Sequence, residues 1–130
     1  MKILIAILVA LVAMVICIMP ITKLMVQQGI KNKDKEWAPG VVYQAGRIRM
    51  RLQQYRSSGQ ILEKALEVFP KYKDAENAHF WIAICYEKTK RPDEAMKWYK
   101  KFVEKYPNHM WVDQAKRRMA MIEGQATPPG

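Results

Sequence analysis

The apolar positions fall into two regimes. From Ile3 to Met19 every one of 17 consecutive residues is apolar, and Pro20, Ile21 and Thr22 carry the stretch to Lys23. At about 1.5 Å per residue, some twenty helical residues reach roughly 30 Å, the thickness of a hydrocarbon core. The pattern predicts a transmembrane anchor over residues 1–26. A cleaved signal peptide is the second reading. The run is longer than the usual apolar stretch of such peptides, about 7–15 residues, and no small-x-small site follows it. A lipoprotein signal at Cys17 is the third, and the bulky Ile16 before that cysteine stands where such signals carry a small residue.

After the run the chain turns polar. Residues 27–40, QQGIKNKDKEWAPG, end on a Pro-Gly breaker and read as a polar linker, with Trp37 expected to pack on the first helix beyond it. From Val41 onward apolar residues recur at helical spacing, and no stretch alternates with period two for more than a few residues. Five helices are predicted, at about Val41–Arg56, Gln60–Phe69, Asp74–Thr89, Pro92–Tyr106 and Met110–Glu123, with Ser57-Ser58-Gly59 as a loose turn. Asp74 suits the N-cap of the third, and Pro92 the first turn of the fourth, with Asp93 and Glu94 beside its positive end. Pro70 and Pro107 each close a helix. Residues 124–130 read as a disordered tail. The fold class is all-α: an N-terminal transmembrane helix, then a short solenoid over 41–123.

The helices repeat. LEKALEVFPKYKDAENAHFWIAI, from Leu62, aligns with YKKFVEKYPNHMWVDQAKRRMAM, from Tyr99, at a shift of 37. Lys64 meets Lys101, Glu67 meets Glu104, Pro70 meets Pro107, Ala78 meets Ala115 and Ala83 meets Ala120. An aromatic and a proline end one helix; alanine then lets the next approach closely. Ile82-Ala83, Tyr86, Ala95, Tyr99 and Pro107 carry a resemblance to the tetratricopeptide-repeat family. They match its large-small pair, its first-helix tyrosine, its second-helix alanine and aromatic, and its terminal proline. His79 and Phe102 depart from the pattern, standing where a large and a small residue are usual. In the weaker first repeat Ala45-Gly46 fills the large-small pair and Arg49 the tyrosine position. The 37-residue spacing resembles that of bacterial envelope members associated with Tol–Pal and with outer-membrane assembly.

The resemblance implies that the first helix of each pair lines a concave face. The positions carried over are Tyr43, Arg47, Met50 and Arg51, then Asn77, Phe80, Ile84, Glu87 and Lys88, then Gln114, Arg117 and Met121. Phe80 and Met50 suit sealing helix contacts as well as binding, and the three arginines suit a solvated face as well as a contact. The last helix, with its Lys116-Arg117-Arg118 run, is either a solvating cap or an open end.

Charge adds a direction. Lys plus Arg number 22 against 12 acids, a formal net charge of +10, and only Lys2 precedes the apolar run. Such a surface favours anionic partners. Nucleic acid fits poorly, because the arginines lack interleaved stacking aromatics. No metal-ligand spacing, phosphate loop or nucleophile elbow is present, so no catalytic residue, metal or cofactor is assigned. Cys17 and Cys85 are too differently placed to pair, and Cys85 reads as core. The expected function is a membrane-anchored adaptor that binds a protein partner through a concave, basic face. The alternative is a small structural subunit held in a larger membrane complex by its transmembrane helix. Counting Lys and Arg puts the domain on the inner side; the short basic start, read as an uncleaved export signal, and the family resemblance put it in the periplasm of a bacterial inner membrane.

Overall fold

The computed structural model describes residues 1–126. Its elements are six helices: α1 (Lys2–Lys31), α2 (Ala38–Arg51), α3 (Tyr55–Val68), α4 (Ala75–Lys88), α5 (Pro92–Lys105) and α6 (Val112–Ala126). No strand occurs among the described residues. Each helix packs on its sequence neighbour, so the stack grows in one direction. One buried cluster joins α2, α3 and α4 through Val42, Tyr43, Leu62, Ala65, Ala78 and Ile82. A second joins α4, α5 and α6 through Phe80, Ala83, Tyr99, Phe102, Ala115 and Ile122. Helix α4 thus has two buried sides, and its hydrophobicity is spread around the helix (AENAHFWIAICYEK) rather than gathered in a stripe.

The two inter-helix turns have one design. Gln53 and Lys90, 37 positions apart, both have φ of 61°. After α4, the Arg91 amide donates to the Tyr86 carbonyl at 2.9 Å and the Lys90 amide to Glu87 at 3.2 Å; after α2, Gln54 donates to Arg49 at 2.9 Å and Gln53 to Met50 at 2.9 Å. These are Schellman closures, which satisfy carbonyls left over at a helix end and are usually made with glycine. The repeat therefore extends to backbone geometry that the side chains do not advertise.

Several boundaries differ from the sequence expectation. Ser57-Ser58-Gly59 is not a turn but the first part of α3, and the chain reverses instead at Leu52–Gln54. Ser58 is buried and its hydroxyl donates to the Gly46 carbonyl at 2.7 Å, which holds α3 against α2. Asp74 occupies the N-cap of α4 but makes no side-chain cap bond, because it already has helical φ and ψ. Trp37 is 49% exposed rather than packed. Helix α6 continues through Ala126, so the expected tail is helical over 124–126, and residues 127–130 lie outside the described residues.

The largest difference concerns the expected linker at 27–40. Helix α1 runs unbroken through Pro20 to Lys31, and its last dozen residues pack antiparallel on α2. Gly29 is buried here: a Cβ on it would collide with the Val42 side chain and sit 3.2 Å from the Ala38 carbonyl. At the other end Arg49, only 8% exposed, reaches from α2 to α1. Its Nε donates to Thr22 Oγ1 at 2.7 Å and its Nη2 to the Met19 carbonyl at 3.0 Å. Only 32–37 separate the two helices, too few to act as a long tether.

Gly46 shows how close α2 and α3 come. A Cβ there would lie 2.7 Å from Leu62 Cδ2 and 2.8 Å from its Cγ, and Leu62 is fully buried. Gly46→Ala gains about 1 kcal/mol of helix propensity but overpacks the contact by roughly 1–3 kcal/mol. We expect a net loss of about 1 kcal/mol in denaturant unfolding, set by the overpacking.

Candidate functional site

The sequence places twelve residues on one binding face; the structure divides them. Arg47, Met50 and Arg51 of α2 and Ile84 of α4 line a single shallow groove of about 290 Å³, together with Tyr55 and Trp81. The Arg47 guanidinium lies over the Trp81 ring, 5.1 Å from its centroid, a cation–π contact at the groove wall. The spacing is that of a helix face: 47, 50 and 51 on one side, 81 and 84 on the other.

Two of the twelve are core. Tyr43 is fully buried, its hydroxyl donates to the Phe69 carbonyl at 2.9 Å, and its ring stacks on Tyr72 at 5.1 Å. Burial pushes its hydroxyl pKa upward. Phe80 is 4% exposed, with its ring against Tyr99, Phe102 and Trp111 at 5.8, 5.6 and 5.2 Å. The groove face of α4 is one residue further on, at Trp81. A shift of one residue turns a helix by about 100°, enough to exchange a surface position for a core one.

Two others are engaged in holding the stack. Asn77 Oδ1 accepts from His109 Nε2 at 2.7 Å, while His109 Nδ1 accepts from the Trp111 amide at 3.1 Å. Glu87 accepts from the Tyr99 hydroxyl at 2.9 Å and pairs with Arg118 at 2.9 Å, tying α4 to α5 and α6. Lys88 is exposed but lines a different cavity, beside Met19. Gln114 is half-buried and Arg117 and Met121 are exposed on α6; none of the three lines the groove. Tyr55 and Trp81 were missed by sequence reasoning. Trp81 could have been found from its i, i+3 relation to Ile84.

The remaining chemistry is structural. Cys85 is buried and its thiol is pushed up to about 11 by desolvation, which leaves it protonated and unreactive near neutrality. Tyr86, pushed up to about 12 by burial and by Glu63, donates its hydroxyl to Glu63 Oε1 at 2.6 Å. No group of three or more His, Cys, Asp or Glu among the described residues is placed to hold a metal.

His79 is buried between Trp98 and Tyr106, with Nδ1 2.7 Å from the Ala75 carbonyl. Burial lowers its pKa from 6.5, and Lys105 and Lys101 lower it further. The folded state therefore prefers the neutral ring. Its contribution is complete above the unfolded pKa, about 6.5, and is lost as pH falls below it. Wild type should lose stability between pH 7 and 5 more steeply than His79→Leu, which thermal melts across that range will show.

Comparisons with known families agree with this geometry. A tetratricopeptide-repeat model matches residues 40–72, which take in α2 and α3, and another matches residues 76–109, which take in α4 and α5. No curated protein matches the chain. Two matched helical hairpins, stacked in register and turning on the same backbone closure, establish that this chain carries tetratricopeptide repeats.

Proposed function

We propose that the protein is a membrane-anchored adaptor whose groove between α2 and α4 holds a peptide or helix from an acidic protein partner. The observation that carries this is the Arg47–Trp81 stack, flanked by Arg51 and by the apolar Met50, Tyr55 and Ile84. Trp, Tyr and Arg are enriched in interface hot spots, and a guanidinium held over an aromatic ring has less rotamer freedom to lose on binding a carboxylate. Tetratricopeptide repeats generally serve protein–protein interaction, and the fold is a non-enzymatic scaffold.

The anchor reading rests on α1. It is long and apolar enough to cross a membrane, with a mean hydropathy of 3.1 in an 18-residue window that is 0% buried. A core helix would be covered. The Met19 carbonyl, Thr22 and Gly29 of α1 all lie against α2, so the apolar helix runs without a break into the folded domain. Anchoring raises the partner's effective concentration without a new contact. The resemblance to bacterial envelope repeat proteins favours the inner membrane with the domain on the periplasmic side; protease accessibility of the C-terminus in spheroplasts tests that side.

The adaptor reading is tested by cross-linking the full chain to its partners in intact membranes. Arg47→Glu with Arg51→Glu should weaken recovery of a partner about tenfold or more while helicity is retained, since like charges now face an acidic ligand. Unchanged recovery would reject the groove. Loss of the partner only when residues 2–18 are exchanged for an unrelated apolar helix would favour the structural-subunit alternative.

A further inference from the structure

The antiparallel order fixes which end of the domain faces the membrane. Arg49, near the end of α2, touches Met19 and Thr22, so the α2–α3 turn lies at the level of Met19. Gly59 of α3 abuts Cys85 of α4, and Glu63 bonds Tyr86, so the end of α4 and the turn after it lie at that same end. Met19 is 17 residues beyond Lys2, roughly 26 Å along a helix, so it stands about one hydrocarbon thickness from the start of α1. The two turns therefore sit where a headgroup layer would be.

A cavity opens at that level. It encloses about 650 Å³ and is lined by Met19, Gln53, Gln54, Arg56, Lys88 and Thr89, among others. One side is Met19 of α1; the others are the two turns, the start of α3 and the end of α4. Arg56 and Lys88 are both exposed and line it; Arg51 at the end of α2 and Lys90 and Arg91 in the turn after α4 are exposed at this end but do not line it. Acids are present too: Asp93 and Glu94 begin α5 at this end and Glu123 lies near the end of α6. Glu63, the nearest carboxylate on α3, accepts from Tyr86. None of these four lines the cavity. The Gln54 side-chain oxygen is buried without a donor against it, an acceptor that a headgroup hydroxyl would satisfy.

We propose that this cavity is a headgroup site for an anionic phospholipid from the leaflet that α1 enters. The phosphate would lie between Arg56 and Lys88, the glycerol hydroxyls of the headgroup by the Gln53 and Gln54 amides, and the acyl chains along Met19 and the apolar face above it. Arg51, Lys90 and Arg91 would add a diffuse attraction to the surrounding headgroups. The site turns the repeat domain into a peripheral reader of the membrane that anchors it, next to the protein-binding groove with which it shares Tyr55. It rests on the reading of α1 as a membrane span.

The test uses the full chain in nanodiscs of phosphatidylcholine with phosphatidylglycerol. Lipids that remain bound on gentle detergent release are identified by native mass spectrometry, and a carbonate wash of cell membranes reports the anchor independently. Wild type should resist the wash and retain phosphatidylglycerol over phosphatidylcholine, and Arg56→Glu with Lys88→Glu should reduce that preference roughly tenfold or more with helicity unchanged. Both residues are exposed, so the variant keeps its core. A chain that resists the wash but shows no anionic preference, or an equal one in the variant, overturns the headgroup site and leaves the anchor standing. A chain released by the wash overturns both.

Discussion

Phe80→Ala should cost about 3–5 kcal/mol, the usual range for removing a buried aromatic ring. For a helical domain of this size that is a fall of roughly 15 °C or more in Tm, read by circular dichroism on the full chain in detergent. The ring is only 4% exposed and contacts two aromatics from α5 and Trp111 in the turn just before α6. Its loss should therefore loosen both helices, α6 most of all, because α6 packs chiefly on α5 and the end of the stack. The experiment also decides between the two roles sequence allowed for this residue. A Phe80→Ala chain as stable as wild type, yet unable to hold a partner, would return Phe80 to the binding face. We expect the reverse, with Trp81→Ala folding normally and losing the partner.

Arg49→Met should cost about 2 kcal/mol and act at a distance from the repeats' own core. The guanidinium makes hydrogen bonds to Thr22, the Met19 carbonyl and Ser57, and charged hydrogen bonds contribute about 1.5–3 kcal/mol each. The full sum is not lost, because Thr22 Oγ1 also bonds back to the Ile18 and Met19 carbonyls at 3.0 and 2.9 Å and remains satisfied without Arg49. Methionine keeps most of the stem's packing. The effect should concentrate in α1: amides from about Thr22 to Lys31 should exchange hydrogen faster while α4 and α5 keep their protection. Uniform protection loss across the chain would contradict this assignment.

Arg49 also shows why part of the fold was legible in the sequence and part was not. The 37-residue shift, the Ile82-Ala83 pair and the proline-closed helices reveal the pairing of helices because each reflects a local backbone or packing demand. Arg49 looked like a defect in the first repeat, since the matching position in the second is Tyr86. The structure gives both one task. Tyr86 bonds Glu63 on the preceding helix, and Arg49 bonds Thr22 on the helix that precedes α2. A preceding helix packed on the repeats was invisible because residues 19–26 read as the end of an anchor and 27–31 as the start of a polar linker. Its two fully packed residues are a glycine and a threonine, which carry no hydrophobic signal; Ile30 packs beside the core only in part. The groove suffered from the same limit. Phe80 and Trp81 are both large and aromatic, and only the partners around them decide which one turns inward.

With α1 as the membrane anchor proposed above, its unbroken passage into the stack makes the angle of the groove about the membrane normal a matter of helical phase. Each residue added between the apolar run and Thr22 would swing the whole domain by about 100° and lift it by about 1.5 Å. A loose strap would absorb such an insertion without consequence. Here four added residues should bring the heading back to within about 40° and one or two should misdirect it, so complementation in cells ought to rise and fall with insert length like the teeth of a gear.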